Sequence, residues 1–196
     1  MTNIQKAIFP MHYMNISQSY TEGNHRPHWE GADKGKADYP IDICGMDSGK
    51  DYFYAPCDCK ITKLSVKNTK KWTNMAILVS THKVRTPKYK DTQIFFKIVH
   101  FPYDNVKKFN LYVGRVFKKG DVICTEGKDD YSTGNHIHLS QGIGYANKSI
   151  YNKSIFKKNR KLVANGDNKY PESIFYLDTK FTKKIMRSAD IKWNKI

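Results

Sequence analysis

His136 and His138 stand one residue apart in Ser132-Thr133-Gly134-Asn135-His136-Ile137-His138-Leu139. If that segment is extended, side chains at i and i+2 share a face, and the two imidazoles lie side by side. Such a pair suits a metal ion, proton transfer or both. In a chain with seven histidines it also suits an unremarkable half-exposed strand. A catalytic zinc commonly takes three protein ligands and leaves a fourth position to water, so a metal reading requires a carboxylate and further histidines. Asp42, in Tyr39-Pro40-Ile41-Asp42-Ile43-Cys44-Gly45, is one acid in a short apolar run, where an unpaired buried carboxylate would be costly. A salt bridge or a turn cap would account for it equally. His100 closes the apolar run Ile94-Phe95-Phe96-Lys97-Ile98-Val99, and His25 and His28 flank Arg26-Pro27, which reads as a turn.

The elements that must carry these residues read as strands. Asn74 to Ser80, Thr92 to His100, Arg115 to Phe117 and Asp121 to Cys124 are short β-branched or aromatic runs bounded by glycine, charged or polar turns. Helical periodicity is weak, with short candidates at Asp104 to Phe109 and Pro171 to Phe175. This pattern predicts a mainly β protein of antiparallel sheets with few short helices. Lys67 to Lys71 and Lys83 to Asp91 read as exposed connections, their lysines solvating sheet edges.

Five further segments, in chain order, join the histidine pair in a resemblance. Asn15-Ile16-Ser17-Gln18-Ser19-Tyr20 opens the series, followed by Pro40-Ile41-Asp42-Ile43 and Phe53-Tyr54-Ala55-Pro56-Cys57-Asp58-Cys59-Lys60-Ile61. Then come Ile98-Val99-His100 and Val113-Gly114-Arg115-Val116-Phe117-Lys118-Lys119-Gly120-Asp121-Val122-Ile123. Together with Ser132 to His138 they resemble the lysostaphin-type, LytM-like zinc metallopeptidases, which cut peptide bonds in bacterial cell walls. The resemblance covers about residues 14–142. Tyr170-Pro171-Glu172-Ser173-Ile174-Phe175 is similar to the closing segment of phage-encoded members.

The resemblance implies a duplicated-hybrid-motif, lysostaphin-like fold, a zinc ion, and ligands at Asp42 and His138. Strand alternation by itself does not distinguish His136 from His138. The first ligand departs from the commonest pattern, because the position four residues before Asp42 is Asp38. His28-Trp29-Glu30-Gly31 fits the longer phage-type spacing and makes His28 the expected ligand, with His25 and Asp38 as alternatives. His100 and His136 are the catalytic histidines by the same resemblance, His136 as general base and His100 as stabiliser of the developing charge. The implied substrate is a peptidoglycan peptide.

Composition limits the other classes. At 196 residues and 39% hydrophobic content, one domain with a proper core is expected over 1–196, its core at about 14–142 and a basic extension at about 143–196. No apolar run approaches the roughly 18 residues of a membrane span, and the start lacks the apolar stretch of a secretory signal. The expected setting is synthesis in a host cytoplasm and action on the wall after lysis or from a virus particle. The net charge is +16, and from Tyr151 to Ile196 there are 12 Lys and Arg against 4 Asp and Glu, so half the excess lies in under a quarter of the chain. Teichoic acids and other anionic wall polymers fit that charge. Nucleic acid is the weaker alternative, because no zinc-finger, RNP-like or helix-turn-helix pattern accompanies the charge.

Cys44, Cys57, Cys59 and Cys124 do not make a secreted disulfide framework at this length and read as small buried hydrophobes. A competing functional class is a degenerate member of the fold, binding wall or building a phage tail with tail-protein partners. The irregular spacing before Asp42 favours it, whereas the joint presence of Asp42, His100, His136 and His138 favours the enzyme.

Overall fold

Alternation of apolar and polar residues along the strands sets the architecture. The computed structural model describes residues 4–23, 25, 38–46, 51–69, 71, 73–130, 132–153, 160–164 and 166–196. In chain order the strands are β1 (Tyr13–Gln18), β2 (Ile41–Cys44), β3 (Tyr52–Tyr54), β4 (Cys59–Ser65), β5 (Met75–Ser80) and β6 (Ile94–Val99). After helix α1 (Asn105–Lys108) follow β7 (Val116–Phe117), β8 (Val122–Thr125), β9 (Ile137–Ile143), β10 (Ser149–Lys153), β11 (Arg160–Ala164) and β12 (Asp167–Asn168). Helix α2 (Pro171–Ile174) and β13 (Lys184–Arg187) complete the chain. The mainly β expectation holds, and both short helices fall within the segments the sequence marks for them.

Among the described residues, nine strands form one sheet in the order β13-β1-β2-β9-β6-β5-β4-β7, with β12 also pairing β9. Its neighbours are antiparallel except β13, which joins β1 in parallel. Strand β9 lies between β2 and β6, with His138 directly opposite Asp42 on one side and Val99 on the other. One face of the sheet carries Ile41, Ile43, Ile94, Phe96, Ile98, Ile137 and Leu139 into the main core. The small ribbon of β3 and β8 adds Phe53, Ile123 and Cys124 to that core. Burying a side chain such as Leu139 or Ile98 contributes roughly 1.5–3 kcal/mol, so this face fixes the register of all three central strands.

The period of two then puts Asp42, His138 and Ser140 on the opposite face. There Ile77, Val79, Phe95 and Ala146 form a second, smaller apolar cluster. Lys97 shares that face in the middle of β6 and is 2% exposed, which no ammonium tolerates without a partner. Its Nζ donates to Asp38 Oδ2 at 3.3 Å, and the Ser140 hydroxyl donates to the same oxygen at 3.0 Å. The four cysteines are free thiols; Cys57, Cys59 and Cys124 are buried in the main core, and burial pushes the Cys57 thiol up to about 12. The stretch from Lys83 to Asp91 differs from the expectation of a wholly exposed connection. Val84 pairs with Thr92 and is buried in the core, while Arg85 bridges to Lys6.

Candidate metal centre

The register of β2 and β9 makes the centre of the site. Asp42 and His138 are directly opposed, and His138 Nδ1 lies 3.0 Å from Asp42 Oδ1. A third group comes from the turn after β1. The Ser19 N–H donates to Glu22 Oε2 at 2.8 Å and the His25 N–H to the Glu22 carbonyl at 3.0 Å, which closes a tight turn. Arg187 of β13 clamps that turn, donating to the Ile16 and Ser17 carbonyls and to Glu22 Oε1. The turn presents His25, 4% exposed, with Nε2 at 3.3 Å from Asp42 Oδ1. One donor atom from each of His25, Asp42 and His138 lies within 4.8 Å of the other two.

Two observations show that a zinc ion fits these donors. Ligands bonded at about 2.0–2.1 Å in a tetrahedral site stand about 3.3 Å from one another, close to the 3.0 and 3.3 Å separations around Asp42. In addition, three imidazole nitrogens surround the single oxygen Asp42 Oδ1, the third being His136 Nε2 at 3.5 Å. Imidazole nitrogens gathered about a carboxylate oxygen in this way are a donor set that zinc accepts. Burial would lift the Asp42 carboxyl, but hydrogen bonds with His138 and His25 outweigh it and hold the group well below the usual carboxylate range. Burial pushes the His138 imidazole down to about 4 against the pull of Asp42, which keeps the ring neutral near pH 7, as a ligand must be.

His136 and His100 stand beside the cluster. His136 precedes β9 and exchanges backbone hydrogen bonds with Gly127. Its Nδ1 lies 2.9 Å from the Gly134 carbonyl, an acceptor only, so Nδ1 carries the proton and Nε2 is the nitrogen turned to Asp42. Burial lowers the His136 pKa, partly offset by Asp42 and reinforced by the neighbouring His100. His100 follows β6 with φ of 75°, in a region that only a few per cent of non-glycine residues adopt. That backbone turn brings its ring within 4.7 Å of His136 and 6.1 Å of His138, centroid to centroid. His100 Nδ1 is held at 2.7 Å by Asp129 Oδ2, and both side chains are largely buried. Gly127 permits the close approach of these segments, since a Cβ there would run into the His100 carbonyl and the Pro102 ring.

The structure therefore brings together Asp42, His138, His136 and His100 as the sequence reading grouped them. His25, one of the two alternatives for the first ligand, joins them. His28, the expected first ligand, lies outside the described residues. Asp38, the other alternative, is engaged by Lys97 and Ser140 and is not in the cluster. Asp129 and the Gly134 carbonyl, which orient the two remaining histidines, carry no signal in sequence beyond their nearness to the histidine pair.

No family model matches the chain. It is 30% identical over 141 residues to Morphogenesis protein 1 of Bacillus phage B103, covering 71% of this chain and 33% of that protein. The chain thus spans about one third of the length of that relative. Among solved structures it is similar to a zinc-containing peptidase from Vibrio cholerae, at a TM-score of 0.45 and 13% identity over 86% of this chain and 41% of that one. It is also similar to the catalytic domain of lysostaphin from Staphylococcus simulans, at a TM-score of 0.38 and 20% identity over 67% of this chain and 86% of that one. At these TM-scores the ground for a functional reading is the cluster itself.

Proposed function

We propose that this chain is a zinc-dependent endopeptidase that hydrolyses peptide bonds of bacterial peptidoglycan. The observation that carries the reading is the convergence of His25 Nε2, Asp42 Oδ1 and His138 Nδ1, with His136 and His100 beside them. A zinc held by the first three would polarise a peptide carbonyl and make hydroxide available near neutral pH. The remaining work belongs to the protein. His136, its Nδ1 proton committed to the Gly134 carbonyl, accepts a proton from the attacking water at Nε2 and returns it to the leaving amine as the C–N bond breaks. His100 stands where it can stabilise the carbonyl oxygen as negative charge develops there, and the Asp129 carboxylate behind it fixes the ring at Nδ1.

The similarity to a morphogenesis protein of a Bacillus phage supports a virus-borne setting. The excess of 16 positive charges supports anionic wall polymers such as teichoic acids as a secondary partner. No helix of the described residues is long and apolar enough to cross a membrane. The test is release of new amino termini from purified Gram-positive walls. Zinc-loaded protein is expected to release them, chelator to stop the release, added zinc to restore it, and His136→Ala to abolish it with the metal retained. Absence of new amino termini from the zinc-loaded wild type would contradict the proposal.

A further inference from the structure

A cavity of about 400 Å³ opens between the end of α1 and the segment from β7 to β8, and no residue of the metal cluster lines it. Two cations line it, Lys108 and Arg115, and ring contacts locate both. Lys108 Nζ stands 5.1 Å from the centroid of the Phe109 ring and 5.7 Å from that of Tyr52, and Arg115 Cζ stands 5.2 Å from that of Phe117. The backbone behind them is pinned, since the Phe109 N–H donates to the Asn105 carbonyl at 2.9 Å and the Ile61 N–H of β4 to the Arg115 carbonyl at 2.9 Å. Among the described residues neither cationic side chain forms an ion pair or a hydrogen bond, and Arg115 Nε is buried without an acceptor. The one carboxylate lining the cavity, Asp121, accepts the Lys118 N–H through Oδ2 at 2.7 Å. An aromatic ring orders a cation without neutralising it, so two positive charges are held in place here with their charge unspent.

We propose that this cavity binds a phosphate group of a phosphodiester-linked polyol chain, the chemistry of a teichoic acid, between Lys108 and Arg115. The inference gives the anionic polymers proposed as a secondary partner a place on the molecule; it rests on that reading and is independent of the zinc chemistry. A guanidinium offers donors in a planar fork that suits phosphate oxygens, and an ammonium serves the same group as a point charge. Single-stranded nucleic acid carries the same diester but binds by stacking bases on open aromatic faces. The two rings that line this cavity, Phe109 and Phe117, are each engaged by a cation, and Phe117 is 1% exposed, which favours a chain of small polyol units over one of bases. Because Lys108 is exposed, the attraction is of the order of surface ion pairs and fades with added salt.

Calorimetric binding of a poly(glycerol phosphate) oligomer to the full chain tests this, beside a single-stranded DNA oligonucleotide with the same number of phosphates. The Lys108→Gln/Arg115→Gln variant is expected to bind the oligomer about five- to tenfold more weakly at low salt, and its log affinity should fall less steeply with log salt, by about 1 in slope. Lys108→Gln alone, at an exposed position, is expected to show about two- to threefold weakening, which keeps the test open if the double variant folds poorly. Lys180→Gln/Lys183→Gln removes the same charge from two exposed lysines outside the cavity and should stay within about twofold of wild type. Equal weakening in the two double variants, or wild-type affinity in Lys108→Gln/Arg115→Gln, would overturn the cavity as the site. Tighter binding of the DNA than of the oligomer, lost in the same variant, would overturn the choice of ligand. An oligomer with no affinity for the wild type would remove the wall-polymer reading itself.

Discussion

Asp42 Oδ1 and His138 Nδ1 meet at 3.0 Å across a directly opposed pair of β2 and β9. The flanking residues Ile41, Ile43, Ile137 and Leu139 are fully buried on the other face, so a one-residue slip of β2 would drive Asp42 into the apolar core. The hydrophobic pattern thereby places two of the three proposed metal donors side by side without help from a metal. An Asp42→Asn substitution keeps that pattern and removes the charge. It is expected to leave the folded protein intact while weakening zinc binding by more than about 100-fold, measured by chelator competition.

The contact between Asp129 and His100 predicts a different outcome. A carboxylate can only accept, so it enforces a proton on His100 Nδ1, whereas an amide can present either its oxygen or its NH2. Asp129→Asn should lower kcat by about 10- to 100-fold with little change in KM. Bound zinc should be retained, and Asp129→Glu should restore part of the rate. A loss of zinc in Asp129→Asn would mean that the residue supports the metal cluster instead.

Lys97 and Asp38 form an ion pair in which both side chains are about 97% buried or more. Removing one partner strands the other charge, so Lys97→Met should destabilise the protein by about 3–5 kcal/mol in urea denaturation. The double variant Lys97→Met/Asp38→Asn should recover much of that loss, because no unpaired charge is left behind.

Stability at low pH has an identifiable contributor at Asp58. Burial would raise its carboxyl, but hydrogen bonds from Gln5, the Lys119 N–H and Lys118 outweigh this and bring it to about 2. A carboxyl depressed in the folded state contributes stability above its unfolded pKa of about 3.9 and loses it as pH falls through the folded value. Wild type should therefore exceed Asp58→Asn in thermal midpoint at pH 5, and the gap should shrink between pH 4 and pH 2. A gap independent of pH would show that the charge of Asp58 contributes nothing.

Much of this architecture is legible in the sequence because its signals are local. Ile137, His138 and Leu139 alternate, Ile41, Asp42 and Ile43 alternate, and each triplet states which residue leaves the core. The run Ile94 to Val99 reads as a strand but hides a buried Lys97, whose partner Asp38 is 59 residues away and could not be paired by inspection. The same holds for Asp129, which reaches His100 only because Gly127 lets two loops touch. His25 was one of three candidates for a role that spacing to Asp42 could not settle. What brings it beside Asp42 is the turn closed by Glu22 and clamped by Arg187, a contact between residues 165 positions apart.

The most direct test of the account is zinc content by elemental analysis of wild type, His25→Ala and His28→Ala. About one zinc per chain in the wild type and in His28→Ala, with its loss in His25→Ala, is the predicted result. A wild type that takes up no zinc, or a His25→Ala variant that binds it as the wild type does, would contradict the centre built from His25, Asp42 and His138.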